Sequence, residues 1–212
     1  MLMPAAPMLA AASPWGFQAH PEVWFLVLAI VGRGWWASHV GTRVLPVGLP
    51  VAPPFQKRAF GLAVVRLLLS ADWPVPDIAE EHLYAVHMLQ HMSITMFVPP
   101  LFLLATPAWL ARLVILEGGV SSKVLRRMSN PVVAGVLFNA LVALTHWNGF
   151  VRLSAENGAF HYMAHLVIFT SALMMWMPVV SPIREHRLGP PGQMLYLFLM
   201  SSIPTIPAGW LT

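Results

Sequence analysis

The chain has 212 residues, of which 58% are hydrophobic and only 9% charged, with a formal net charge of +4. Soluble domains carry about 25% charged residues, so this composition excludes a water-soluble globule and predicts a polytopic membrane protein. The basic residues fall in particular loops, which reads as membrane topology and not as nucleic-acid binding, and the absence of cysteine excludes disulfides and thiolate ligands.

In chain order, residues 1–22 are rich in Ala and Pro and read as a loosely ordered lead-in, without the basic start of a secretory signal peptide. Residues 23–212 read as one transmembrane helical domain. The first predicted span runs from Val23 to Val40, close to the ~17–25 residues a bilayer needs. Arg33 lies toward its inner end, where its guanidinium can snorkel to the headgroups. A Pro/Gly-rich loop, Gly41 to Pro54, leads to a second span over Ala59 to Ala71, which lengthens if it starts at Phe55 and uses Lys57 and Arg58 as interfacial anchors. Arg66 interrupts it, and an ion pair with Asp72 or Asp77 is expected.

The third span, Leu83 to Thr106, carries Pro99-Pro100, which should kink it or end its regular part. A basic loop with Arg112, Lys123, Arg126 and Arg127 follows. Asn130-Pro131 pairs an N-cap residue with Pro at the first helical position, opening a fourth span to Trp147. A loop with Asn148-Gly149 and Asn157-Gly158 precedes the fifth span, Phe160 to Met177, which should stop at Pro178. The sixth is Met194 to Trp210, interrupted by Pro204 and Pro207. The expectation is an all-α transmembrane bundle of about six spans. Nine basic residues (Arg43, Lys57, Arg58, Arg112, Lys123, Arg126, Arg127, Arg184, Arg187) fall in loops on one side, and Arg152 alone on the other. By the positive-inside rule the N-terminus is outside.

That orientation collects the histidines. His87 and His91 are four residues apart at the outer start of span three; His161 and His165 repeat the spacing at the outer start of span five; His146 closes span four. An i,i+4 pair puts both rings on one helix face, about 5–6 Å apart at Cβ. Five imidazoles at one depth point to a metal site, with His87, His91, His146, His161 and His165 as candidate ligands. Imidazole with thioethers nearby (Met88, Met92, Met96, Met163) favours copper, particularly Cu(I). For zinc, carboxylates would be expected to help, and Glu80, Glu81 and Glu156 are the candidates.

The run His87-Met88-Leu89-Gln90-His91-Met92, with Val98-Pro99-Pro100-Leu101 and Thr106-Pro107, resembles the polytopic CtaG family of bacterial cytochrome c oxidase assembly factors. Thr145-His146-Trp147, His161-Tyr162-Met163-Ala164-His165 and Trp176-Met177-Pro178-Val179 fit its later motifs in order. The resemblance implies a multi-pass protein of the bacterial plasma membrane, not an enzyme. It would handle copper on the outer side, with oxidase subunits and an outer-side copper carrier as partners. Members of that family usually continue into a seventh span, which this sequence is expected to lack. Two other functions fit the same residues. One is a haem protein with bis-histidine ligation, for instance His91 and His165. The other is a metal-free structural partner whose histidines are hydrogen-bonded to protein groups.

Overall fold

A computed structural model describes residues 19–76, 78, 83–116 and 119–202, and among them there are helices and turns but no strand. Asp77, Glu80, Glu81, His82 and the Pro204–Pro207 region lie outside the described residues.

Helix α1 spans Pro21–Val44, with Pro at its first position, and ends where Leu45 turns extended ahead of Pro46. Helix α2, Pro54–Ala71, likewise starts on a proline and ends at extended Asp72. Both are longer than the apolar runs alone predicted, because proline at the first turn loses no intrahelical bond. Arg66 does not pair with Asp72. Its Nε donates to Ser93 Oγ at 3.0 Å, and its guanidinium sits 5.2 Å from the Phe97 ring centre. Asp72 instead accepts from Trp24 Nε1 at 2.9 Å.

The third predicted span is continuous but not regular. Helix α3, Tyr84–Met92, passes into a π-helical stretch, Ser93–Phe97, and then into α4, Val98–Ala105. Pro99-Pro100 does not end the helix; the irregularity is displaced into the turn before it. Proline has no N–H, so the Thr95 carbonyl loses the donor that residue 99 would supply. The Trp176 indole takes over, donating to Thr95 O at 3.0 Å.

What was expected as a basic loop is two helices, α5 (Ala108–Leu116) and α6 (Val120–Met128). Asn130 caps α7, Pro131–Thr145, as predicted, its Oδ1 accepting from Val132 N at 3.1 Å and Val133 N at 3.5 Å. The loop expected between spans four and five is also helical: α8 covers Asn148–Glu156. Helix α9, Gly158–Val180, is capped by Asn157 and runs through Pro178 to end two residues later. A proline in a last turn removes one bond without disturbing the turns before it, which is why it failed as a stop signal. Helix α10 covers Pro190–Ser202.

Three helical segments are long and apolar enough to cross a membrane: Pro21–Val44, Ala85–Ala105 and Gly158–Val180. A fourth is possible if α6 and α7, bent by 75° between Met128 and Pro131, form one broken span. Six spans were expected. Among the described residues, α2 is 18 residues long with three basic side chains, and α10 covers 13 residues.

Helix α4 packs between α2 and α9, and α7 covers another side of α9. Phe138, Ala172, Met175, Tyr196 and Met200 form one buried cluster, and Leu103, Ala111, Ile115, Met177 and Ile183 another. Helix α1 is peripheral, with Val23 and Gly41 its buried residues. At one end Tyr162 Oη donates to Glu22 at 2.8 Å, and at the other Gly41 sits so close to Val51 and Trp109 that a Cβ there would collide with both. The antiparallel run of the helices leaves the starts of α1, α3 and α9, the ends of α2 and α7, and all of α8 at one end of the bundle. The basic α5 and α6 lie at the other.

Candidate metal centre

The histidine end of the bundle is built by α3 and α9, whose i,i+4 pairs face each other. His91 Nε2 lies 2.9 Å from His87 Nε2, and His165 Nε2 lies 2.8 Å from His161 Nε2. Between the helices, His91 and His165 stack with ring centres 4.6 Å apart and planes inclined by 29°. His87 and His161 are more widely parted, at 6.1 Å and 52°. The four rings therefore form a wedge, closed at the deeper pair and splayed toward the helix starts.

An Nε2–Nε2 contact this short fixes the proton count: one nitrogen of each pair carries a hydrogen and the other accepts it. Ligand nitrogens 2.0–2.1 Å from a tetrahedral metal would stand about 3.3 Å apart. The pairs are thus closer than ligands around an ion, and among the described residues no group of three or more His, Asp or Glu side chains has the form of a finished metal site. A separation of a few tenths of an ångström within each pair, with the hydrogens moved to Nδ1, would change the pairs into ligands.

His146, the last predicted candidate, follows the end of α7 as its C-cap. Its Nδ1 is 2.7 Å from Val142 O. A carbonyl only accepts, so Nδ1 holds the proton and Nε2 keeps its lone pair, the tautomer a metal requires. His161 Nδ1 also has a partner, Ser154 Oγ at 3.1 Å. Of the predicted candidates, the ring contacts join four, His87, His91, His161 and His165, and His146 stands at the end of α7. His39 lies apart, bonded to Trp35 O at 3.0 Å, and His20 is bonded to Glu22 at 3.3 Å.

The donor set fits a borderline or soft ion: imidazoles only, with no cysteine in the chain. Of the candidate thioethers, Met92 and Met163 are 53% and 57% exposed, while Met88 and Met96 are half-buried. Glu156 is exposed, and Glu80 and Glu81 lie outside the described residues.

Several neighbours were not predicted. Gln90, between the α3 histidines in sequence, is buried, and its Oε1 has no hydrogen-bond partner among the described residues. An unsatisfied buried amide costs about 1–3 kcal/mol; a carboxamide inside an apolar span was its signal. Two residues past His91, Ser93 Oγ lies 2.6 Å from Ser70 Oγ and also receives Arg66 Nε, which braces the π-helical stretch against α2. Ser154 carried no sequence signal, because its segment read as a loop.

A family model described as cytochrome c oxidase caa3 assembly factor (Caa3_CtaG) matches residues 32–212. No curated protein and no solved structure matches the chain.

Proposed function

The chain belongs to the cytochrome c oxidase caa3 assembly factor family, and on that premise we propose that it binds copper through His87, His91, His146, His161 and His165 and passes it to an oxidase subunit. The observation that supports this most is the facing of two histidine pairs from separate helices, with all four Nε2 atoms in short contacts at one end of the bundle. A lone histidine in an apolar helix is commonly a packed or hydrogen-bonded residue. Two pairs meeting across a helix interface concentrate ligand nitrogens that would otherwise be spread along the chain.

On this reading the histidine end faces outward and the basic end inward, in keeping with the positive-inside rule, in the bacterial plasma membrane. Copper arrives from an outer-side carrier and enters at the splayed side, between His87 and His161. The deeper pair, His91 and His165, retains it. The protein performs no reaction of its own: it accepts an ion and releases it. Paired imidazoles suit that task, because the hydrogen bond within each pair satisfies both of its Nε2 atoms when no metal is bound.

The same hydrogen bonds favour one second reading, a metal-free partner that holds an oxidase subunit during assembly. A haem clamp suits the rings less. Axial ligands oppose each other end-on through the iron, whereas His91 and His165 lie face to face with each Nε2 directed at its own helix partner.

The test is elemental analysis of protein extracted gently from membranes, with a reduced-minus-oxidised spectrum of the same sample. The copper reading expects bound copper without a haem absorption band. It also expects loss of most of that copper, and of oxidase activity in the host, when His87 and His91 are both replaced by Ala. Copper content unchanged by the double replacement would overturn the site; metal-free parent protein with intact oxidase assembly would favour the structural partner.

A further inference from the structure

For a pair of neutral imidazoles to bind one ion through both Nε2 atoms, the hydrogen that bridges them has to leave. No net proton need be lost. The donor ring can move its hydrogen from Nε2 to Nδ1 and stay neutral, provided something accepts at Nδ1. At His146 that arrangement already exists, since a backbone carbonyl faces Nδ1. At His161 the group facing Nδ1 is a hydroxyl, Ser154 Oγ at 3.1 Å. A carbonyl can hold only one tautomer. A hydroxyl donates as readily as it accepts, so it supports the ring in either form.

Ser154 belongs to α8, the nine-residue helix between α7 and α9. The preceding residue of this connection, Trp147, follows His146 directly, and the residue after α8, Asn157, caps the helix carrying His161 and His165. Helix α8 therefore ties a third element to the ring cluster through one side chain. Phe150 also packs on Phe160 of α9, ring centres 4.9 Å apart, while Val151, Leu153 and Glu156 are exposed.

We propose that Ser154 is a positioning residue of the copper site: its hydroxyl accepts the Nδ1 hydrogen of His161, freeing the His161 Nε2 lone pair for the ion. This rests on the copper reading of the same histidines and adds a residue to it. With metal absent, His161 can carry its hydrogen on Nε2 and donate to His165, Ser154 then donating to Nδ1. On loading, the hydrogen stands on Nδ1, the Ser154 hydroxyl has turned to accept it, and a coordinate bond from Nε2 replaces the hydrogen bond to His165. Both rings stay neutral throughout.

The test uses the full chain in detergent, with Cu(I) as probe in competition with a chromogenic Cu(I) chelator. Outer partners of metal-bound histidines contribute about 10–100-fold in affinity, so Ser154→Ala is expected to weaken Cu(I) binding by roughly tenfold or more. Ser154→Thr, which keeps the hydroxyl, is expected to restore it. Ring-nitrogen NMR of histidine-labelled parent protein loaded with Cu(I) gives a readout needing no variant: His161 should be protonated at Nδ1. Parent-like affinity in Ser154→Ala, or His161 protonated at Nε2 in the loaded protein, would overturn the positioning role and leave the site standing. Parent protein that takes up no Cu(I) would overturn the site itself and the role with it.

Discussion

At the scale of single residues, the chemistry turns on which ring nitrogen holds a hydrogen. His146 is committed by the Val142 carbonyl. Each of the two pairs shares one hydrogen across 2.8–2.9 Å. Copper competes with protons for the same lone pairs, so a protonated imidazole is lost as a ligand. The sign follows: on the copper reading, the ion is held at neutral pH and released on acidification. Equilibrium dialysis between neutral and mildly acidic buffer should show the bound copper falling; the same stoichiometry at both ends would argue against imidazole ligation. The meeting of His87, His91, His161 and His165 was legible, because four-residue spacing fixes a shared face without any knowledge of the fold. Ser154 and Trp176 were not, because their roles depend on which segments meet in space.

At the scale of elements, the π-helical stretch Ser93–Phe97 joins the histidine-bearing α3 to the proline-bearing α4. It lets one span carry two prolines and still present His87 and His91 to α9. The Trp176 indole supports it by taking the Thr95 carbonyl that Pro99 cannot serve. Trp176→Phe keeps most of the apolar volume but orphans that carbonyl, at a cost of about 1–3 kcal/mol. Thermal unfolding in detergent should show a lower Tm with the helical content retained; a Tm equal to the parent's would mean that the carbonyl is satisfied some other way. The Pro99-Pro100 pair signalled an irregularity but not its place. Helices α5, α6 and α8 were missed for a different reason. They are nine residues each, too short to show a span, and α6 and α8 are polar, which in a membrane sequence is easily read as loop.

At the scale of the whole molecule, composition was enough to predict an all-helical membrane protein, and three segments meet the length and apolarity of a span. The expected six did not all emerge, since α2 carries three basic residues in 18 and α7 has 15 residues. The separation of ends is the feature that matters for function. His87, His91, His161, His165, Glu22, Asp72 and Tyr162 gather at one end, joined by α1 through Tyr162–Glu22 and Trp24–Asp72, while α5 and α6 carry Arg112, Lys123, Arg126 and Arg127 at the other. Such polarity is what a protein needs if it takes an ion from one side of a membrane and is held in place from the other. The most direct measurement is X-ray absorption of the Cu(I)-loaded full chain. A shell of three or more imidazole nitrogens near 2.0 Å, diminished when either helix pair is replaced by Ala, is the predicted result. A shell dominated by sulfur, or one unaffected by replacing His161 and His165, would contradict a site shared between the two helices.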